Sequence, residues 1–157
     1  MIYTTIGSPL GELLLTSDGE ALTGLHMQEG RRPAEPAPGA EREPSAFGDA
    51  ETQLRQYFAG EGTQFDLVLD ERAGTPFQRE VWNALREIPY GQTASYLELA
   101  ERVGRPTAVR AVGAANGRNP ISVIVPCHRV IGSTGSLTGY GGGVARKRLL
   151  LELEAGG

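Results

Sequence analysis

The chain has 157 residues, of which 39% are apolar and 22% charged, and its formal net charge is −4. This length fits one domain or two small domains that share a core, and no apolar run approaches the ~20 residues that cross a bilayer. The single cysteine, Cys127, excludes an internal disulfide and a multi-cysteine zinc site, and a lone thiol is typical of a reducing compartment. We therefore expect a cytoplasmic protein (nuclear in a eukaryote) with no membrane contact, metal or cofactor.

The negative net charge alone argues against nucleic-acid binding, but the charge is distributed unevenly along the chain. Residues 1–71 contain 4 Arg and 13 acidic residues, a net charge of −9, whereas residues 72–157 contain 10 Arg, 1 Lys and 6 Glu, a net charge of +5. This asymmetry indicates an acidic half that faces water and a basic half that could meet a polyanion. A chance clustering of acidic loops early in the chain is an equal alternative on charge alone.

The first 70 residues predict a small α/β unit with an antiparallel sheet. The opening residues indicate strand–turn–strand, and the apolar stretches 12–16 and 21–27 on either side of a turn predict a hairpin. The basic region of a signal peptide is missing from the start. Residues 28–45 are rich in Pro, Glu and Ala and predict a flexible loop. Residues 46–59 have helical spacing, and residues 65–69 predict a third strand.

Residues 71–157 predict a mainly helical C-terminal domain. Thr75 and Pro76 are typical of a helix start, as N-cap and first helical residue. Ser95 caps a second helix, Gly104 lies in the turn that ends it, and residues 108–116 form a third helix. Two short helices joined by a tight turn are typical of a DNA-binding helix-turn-helix, although an ordinary αα-corner is the commoner arrangement.

The last third of the chain carries the features that point to chemistry. A β-branched run over residues 121–125 predicts an apolar strand that leads to Cys127. Six glycines follow between residues 132 and 143, and residues 144–153 predict a final helix with its leucines turned inward. The glycine-rich stretch lacks the Gly-Lys-Ser/Thr ending of a P-loop; it indicates either backbone that approaches a flat ligand closely or a flexible loop.

Cys127 is the strongest nucleophile candidate, although a free cysteine is more often a small buried hydrophobic residue. Pro126 precedes it, and His128 and Arg129 follow it directly. Nearby positive charge favours the thiolate, so we expect a lowered pKa for Cys127, with His128 as base, directly or through a water. A carboxylate that orients the imidazole would complete a relay, and spacing alone leaves four candidates open: Glu98, Glu101, Glu152 and Glu154. His26 is too far away in sequence to form a metal site with His128.

The residues around Cys127 resemble the active-site motif of the O6-alkylguanine-DNA alkyltransferases, also called methylated-DNA–protein-cysteine methyltransferases. The motif is Pro126-Cys127-His128-Arg129-Val130, and further matches follow the family's order and spacing across residues 75–155. They include Phe77-Gln78, Val81-Trp82, Pro89-Tyr90-Gly91, Ser95-Tyr96, Arg110-Ala111-Val112-Gly113, Asn119-Pro120, Gly139-Tyr140-Gly141-Gly142 and Lys147. Residues 1–70 resemble the family's variable N-terminal unit only loosely.

The resemblance implies roles for the catalytic residues, position by position. Cys127 would accept the alkyl group, and His128 would be its water-linked base. Glu154 falls where the family has the carboxylate that holds the histidine. Asn119 resembles the asparagine that braces the turn between the recognition helix and the active-site strand.

The resemblance also implies how substrate and DNA are held. Tyr96 would contact the guanine edge and the displaced phosphate, while Tyr140, the Gly141 backbone and Val130 would line the base pocket. Arg110 would fill the gap left by the flipped nucleotide. Further matched positions complete the sets, with Lys147 at the substrate and four residues at DNA: Thr107, Ala111, Arg118 and Arg129.

Two positions depart from the pattern of some family members and indicate a roomier pocket. Ser122 stands where some members carry proline, and Gly141 stands where some carry serine. The zinc ligands of some animal members have no counterpart, and the extra domains of the bacterial adaptive-response regulator are missing, so the resemblance implies a stand-alone repair protein.

The resemblance thus implies an α+β protein with domains at 1–70 and 71–157, which repairs double-stranded DNA in a single-turnover reaction. It would transfer the alkyl group of O6-alkylguanine, and of O4-alkylthymine, to Cys127 after base flipping. We expect a monomer that can bind DNA cooperatively. Two other hypotheses stay open: a non-catalytic damage sensor, which the presence of Cys127 disfavours, and a cysteine hydrolase with a Cys-His-Glu relay, which repeated turnover would reveal.

Overall fold

The computed structural model describes residues 1–28, 34–137, 140 and 143–156. Part of the predicted loop at 28–45, and Gly141 of the predicted pocket, lie outside the described residues. The elements are β1 (Ile2–Ile6), β2 (Leu13–Ser17), β3 (Leu22–Met27), β4 (Glu41–Arg42), α1 (Gly48–Phe58), α2 (Pro76–Leu85), β5 (Ala94–Ser95), α3 (Tyr96–Arg102), α4 (Val109–Gly117), β6 (Val130–Ile131) and α5 (Val144–Glu154). Short 3₁₀ turns cover Pro44–Phe47 and Cys127–Arg129. None of the described helices is long and apolar enough to span a membrane.

The N-terminal sheet has the order β3-β2-β1-β4, and the predicted hairpin is confirmed. Strand β2 pairs antiparallel with both β1 and β3, and its residues Leu13, Leu14 and Leu15 are almost completely buried. Strand β4 was not predicted, because its two exposed residues have no apolar pattern; it lies in the expected loop and pairs parallel to β1.

The third strand predicted at residues 65–69 is wrong. Only Leu69 makes an isolated parallel bridge, to Leu22. The Gln53 side chain of α1 hydrogen bonds to both backbone groups of Asp66. Its Nε2 donates to the Asp66 carbonyl at 3.0 Å, and its Oε1 accepts from the Asp66 N–H at 2.8 Å. Because a side chain satisfies these backbone groups, the segment follows α1 and does not extend the sheet.

The predicted starts of α2 and α3 are confirmed by complete capping boxes. Thr75 accepts from the Gln78 N–H and Ser95 accepts from the Glu98 N–H, while each partner's side chain accepts from the backbone N–H of its cap. Substituting such a cap by alanine costs about 1 kcal/mol of helix stability. Helices α3 and α4 pack on each other and form the expected helix pair.

The sheet and the helices share one apolar core. Backbone bonds connect the two halves: the Leu25 N–H donates to the Pro120 carbonyl at 2.9 Å, and the Ser122 N–H donates to the Leu25 carbonyl at 3.2 Å. From α5, Arg146 Nε donates to the Leu10 carbonyl at 3.1 Å. Strand β3 therefore lies directly against the segment that leads to Cys127, and the α+β fold places that segment at the junction of the two halves.

Candidate active site

The residues that lead to Cys127 form turns, so the strand predicted at 121–125 is wrong. Ile124 N–H donates to the Ser122 carbonyl at 2.8 Å, and Val125 N–H donates to the Ile121 carbonyl at 3.0 Å. Val123 has a φ of 71°, a left-handed conformation that a β-branched residue rarely adopts. The β-branched composition correctly indicates burial here, but only the isolated bridge to Leu25 connects the segment to β3, and the Ile124 and Val125 N–H groups bond within the turn.

Asn119 holds this turn together from within. Its Nδ2 donates to the Val125 carbonyl at 2.8 Å, and its Oδ1 accepts from the Ile121 N–H at 3.1 Å. A hydrogen bond from its side chain also favours the Cys127 thiolate. One amide therefore connects the end of the α4 segment to the turn that carries the thiol, the position that the resemblance implied for it.

Cys127 begins the 3₁₀ turn Cys127–Arg129 and is 5% exposed. Burial raises the pKa of its thiol, and hydrogen bonds from Asn119 and Ser122 and the charge of Lys147 only partly oppose that rise. The expectation that His128 and Arg129 lower this pKa is wrong, because His128 is buried and Arg129 is paired with a carboxylate. The direction of this shift favours the protonated thiol.

His128 and Glu154 form a buried pair. His128 Nε2 lies 2.7 Å from Glu154 Oε2, and the two side chains are 0% and 1% exposed. Burial would raise the pKa of Glu154, but hydrogen bonds from His128, Arg129 and Tyr57 lower it to about 2. Burial lowers the pKa of His128, against the opposing pull of Glu154. The pair is thus a neutral imidazole beside a carboxylate.

The structure selects among the four candidate carboxylates. Glu98 is exposed and belongs to the capping box of α3, while Glu101 and Glu152 are exposed on their helices. Glu154, the last residue of α5, alone among the four bonds to His128 within the described part of the chain.

Arg129 was predicted to contact DNA, and its position does not support that role. Its Nε donates to Glu154 Oε1 at 2.7 Å, its Nη2 to Glu154 Oε2 at 3.0 Å, and its Nη1 to the Ile88 carbonyl at 2.7 Å. Only 7% of the residue is exposed. Because this fork satisfies a buried carboxylate, Arg129 is reassigned to holding Glu154.

Lys147 is also buried, on the thiol side of the site. Its Nζ donates to the Val130 carbonyl at 2.5 Å and lies 5.9 Å and 5.8 Å from the ring centroids of Tyr96 and Tyr140. Burial lowers the pKa of Lys147, and the nearby Cys127 opposes that shift. Burial together with Cys127 raises the pKa values of both tyrosines. Four residues of the predicted base pocket therefore gather around Cys127.

The other predicted DNA contacts lie on an exposed surface, which we call the α4 face. It comprises four exposed residues: Thr107, Arg110, Ala111 and Arg118. The opposite side of α4 buries Val112, Ala115 and Asn116. Gly113 approaches the Tyr96 ring, since a Cβ there would lie 3.6 Å from Cδ1. The same helix thus presents cations outward and closes one side of the site.

Two polar residues of the site escaped sequence reasoning. Tyr57 of α1 donates its hydroxyl to Glu154 Oε2, and Asn116 Nδ2 donates to the Cys127 carbonyl at 3.4 Å. Asn116 occupies an apolar position four residues after Val112, which was an available signal; nothing near Tyr57 pointed to the site. Among the described residues, no cluster of three or more His, Cys, Asp or Glu side chains could hold a metal ion.

Comparisons with known proteins match both halves of the chain. Residues 1–70 match the family model described as "6-O-methylguanine DNA methyltransferase, ribonuclease-like domain". Residues 76–156 match the model described as "6-O-methylguanine DNA methyltransferase, DNA binding domain".

Similar proteins carry the same description over nearly the whole chain. A methylated-DNA–protein-cysteine methyltransferase of Mycobacterium tuberculosis is 58% identical, over 97% of this chain and 91% of the relative. A Methanosarcina acetivorans protein of the same name is 49% identical, over 98% of each chain. The crystal structure of M. tuberculosis OGT in complex with DNA is 54% identical, covers 99% of this chain and 94% of its own, and superposes with a TM-score of 0.93. This chain belongs to the 6-O-methylguanine DNA methyltransferase family.

Proposed function

We propose that this protein repairs alkylated double-stranded DNA by direct reversal, with Cys127 as the acceptor of the alkyl group. The substrates are O6-alkylguanine and O4-alkylthymine. The observation that carries the proposal is a buried cysteine, Cys127, whose neighbour in the same turn, His128, forms a buried pair with Glu154. A relative of 58% identity is named a methylated-DNA–protein-cysteine methyltransferase, and a structure of 54% identity is a complex with DNA.

The hydrogen bonds of His128 support one of its two ring nitrogens as the proton acceptor. Since Glu154 is ionised, it can only accept, and His128 must donate to it through Nε2–H. The other ring nitrogen, Nδ1, then carries the free lone pair, and no group of the described residues hydrogen bonds to it. Nδ1 is therefore the atom that we propose as the base, and since the Cys127 thiol does not hydrogen bond to it, the thiol proton would pass through one water.

The reaction balances without a cofactor. The thiol proton passes to His128, the Cys127 sulfur attacks the alkyl carbon, and the carbon–oxygen bond to O6 breaks as the carbon–sulfur bond forms. O6 keeps the electron pair, the purine takes up one proton as His128 gives one up, and ordinary guanine and neutral His128 are restored. A thioether has no good leaving group, and Cys127 is the sole cysteine, so each molecule reacts once.

The raised pKa of Cys127 suits a protein that is consumed by its own reaction. A thiol that stays protonated resists oxidation and stray alkylation, since the thiolate is the reactive form. Burial thereby lowers the reactivity of the resting thiol.

DNA is held by the α4 face, and the damaged base enters the site beside it. The helix-turn-helix meets the phosphates without reading sequence, and Arg110 fills the space of the flipped nucleotide. Tyr96, Tyr140, Val130 and Lys147 surround the base. A serine at position 122 where some family members have proline, and a glycine at 141 where some have serine, favour alkyl groups larger than methyl as substrates.

Mass spectrometry after incubation with methylated duplex DNA tests the function directly. We expect the protein to gain one methyl group, on the peptide that contains Cys127, and transfer to stop at one equivalent. Repeated turnover, or a methyl group on another residue, would contradict the proposal.

We also propose where the chain divides into domains and where in the cell the protein acts. We divide the chain into an N-terminal domain over 1–70 and a DNA-binding and transfer domain over 71–157, since the net charge changes sign between these parts. We place the protein in the cytoplasm, because the site needs its single thiol in reduced form.

A further inference from the structure

The N-terminal helix α1 reaches the relay through one side chain. Tyr57 is 1% exposed, and its hydroxyl donates to Glu154 Oε2 at 2.5 Å, across 97 positions of sequence. Its ring packs edge-on against Tyr90, with the centroids 6.1 Å apart. Within the described ranges of the chain, the other polar groups that hold the Glu154 side chain come from residues 128 and 129.

Tyr57 competes with His128 for the same carboxylate oxygen. Oε2 accepts from the Tyr57 hydroxyl, from His128 Nε2 at 2.7 Å and from Arg129 Nη2 at 3.0 Å, whereas Oε1 accepts from Arg129 Nε. A carboxylate oxygen offers about two lone-pair sites, so three donors share its charge. Each donor that is added weakens the pull of Oε2 on the imidazole.

We propose that Tyr57 is a positioning residue of the relay, through which the N-terminal helix holds Glu154 in place and keeps His128 in its neutral form. A protonated His128 has no lone pair on Nδ1 and cannot accept the thiol proton. By sharing the charge of Oε2, the phenol leaves the carboxylate strong enough to orient the imidazole but too weak to stabilise its protonated form. The inference rests on the proposed function, in which His128 is the base.

The other groups around His128 make this balance sensitive to one hydrogen bond. The charged groups that act on it are Glu154 and Lys147 of α5 and Arg129 of its own turn, Cys127 precedes it in the chain, and Tyr57 of α1 shares Oε2 of Glu154 with it. The buried residues of α2, which also packs on this turn, are apolar. Burial and the two cations favour the neutral imidazole, while Glu154 alone favours the charged one. Removing the Tyr57 hydroxyl therefore strengthens the interaction of Glu154 with His128, which favours the protonated imidazole.

The test is the substitution Tyr57→Phe, which keeps the buried ring and removes only the hydroxyl. The rate of alkyl transfer from the free base O6-benzylguanine is measured against pH. We expect the acid limb of the profile to move up by about half to one pH unit, which corresponds to about 0.7–1.4 kcal/mol at the imidazole. At pH values below the limb of the wild type, transfer should slow about threefold to tenfold, and affinity for unmodified duplex DNA should stay the same.

Tyr90→Phe is the matched control. It removes a phenol from the same aromatic cluster, but that hydroxyl lies 3.5 Å from the Leu153 carbonyl and does not reach Glu154. Its pH profile should coincide with the wild type. A ¹⁵N NMR titration of His128 in the unreacted proteins reads the imidazole without any substrate, and thermal unfolding shows whether each variant folds.

An unshifted acid limb and an unshifted ¹⁵N titration in folded Tyr57→Phe would overturn the inference, whether or not the rate falls, since a packing role moves neither. An equal shift in Tyr90→Phe would also overturn it. These outcomes leave the proposed function intact, because the wild type would still transfer the alkyl group. Absence of transfer by the wild type would instead defeat the proposed function.

Discussion

The α4 face and the buried cluster around Glu154 both contain arginine, and they use it in opposite ways. Arg110 is exposed on α4, where its charge is available to a phosphate. Arg129 is 7% exposed, and all three of its nitrogens bond to Glu154 or the Ile88 carbonyl. The surroundings of an arginine therefore decide whether its charge can bind DNA or instead holds a side chain of the active site. A guanidinium buried without a partner would carry a very large desolvation cost.

Net charge overstates the basic character of the half that meets DNA. Of the 11 basic residues in 72–157, Arg129 and Lys147 are buried, and the remaining nine supply the surface charge. Binding and chemistry are thus assigned to separate sets of side chains. Substitutions should separate the two properties, and those in the buried cluster should have the larger effect on transfer.

The largest effect should come from Cys127→Ala, which removes the nucleophile. We expect no detectable alkyl transfer and nearly unchanged affinity for duplex DNA, because the α4 face is intact. Mass spectrometry measures the first property and a binding titration the second. Residual transfer by the variant would refute the assignment of the acceptor.

The next largest effect should come from Glu154→Gln, which removes the charge that orients His128. An imidazole held in the wrong tautomer cost about 10⁴-fold in the serine protease triad, and we expect a loss of at least about 100-fold in transfer to the free base. The substitution also leaves Arg129 buried without a counter-ion, so the variant should unfold at lower temperature. Glu152→Gln, on the exposed side of the same helix, is the control and should change neither property.

Because folding lowers the pKa of Glu154, the stability difference between the wild type and Glu154→Gln depends on pH. Its folded value of about 2 lies below the ordinary 4.5, so the carboxylate stabilises the folded state fully above about pH 4.5. That contribution is lost as the pH falls from 4.5 towards 2. Thermal unfolding of wild type and Glu154→Gln should therefore converge in this window. A constant difference between them across the window would contradict the ionised pair.

Arg110→Ala should have an intermediate effect, limited to duplex substrates. If Arg110 fills the gap left by the flipped nucleotide, it stabilises only the extrahelical state, whose formation costs a few kcal/mol. We expect repair of duplex DNA to slow about tenfold to thirtyfold and the reaction with O6-benzylguanine to stay unchanged. Measuring both rates on one preparation makes each the control of the other. An equal loss on both substrates would assign Arg110 to the pocket or the fold.

The sequence predicted most where local chemistry decides the structure. The capping boxes at Thr75 and Ser95 are local, and both were found in the expected place. The resemblance also placed Glu154 correctly beside His128. The β-branched run before Cys127, in contrast, was predicted as a strand, because its composition reports burial but not the Asn119 bonds that bend its backbone.

The sequence did not predict which charged and polar side chains are buried by contacts between elements that are distant along the chain. Arg129 was assigned to DNA, although its partner carboxylate lies 25 residues away and its orientation depends on the packing of α5. Tyr57 had the spacing of an ordinary core residue, and its hydroxyl gains a function only because α1 and α5 meet. Such roles depend on which elements touch, which a single sequence does not contain.

The smallest effect should come from Arg118→Ala, which sharpens the contrast between the two regions. Arg118 follows α4 as its C-cap and is exposed, so its charge is the kind that neutralises one phosphate. Removing it should weaken duplex binding a few-fold at physiological salt and reduce the slope of log K against log salt by about 0.9. Transfer to the free base should not change. Arg55→Ala, which removes an exposed arginine on α1 of the acidic half, is the matched control and should leave the slope unaltered.

The same slope in wild type and Arg118→Ala would show that Arg118 does not contact phosphate. A loss of free-base transfer would instead mean that the end of α4 supports the Asn119 turn through its backbone bonds. Either result would remove Arg118 from the proposed DNA contacts, which would then come from the residues of the α4 face nearer the start of the helix.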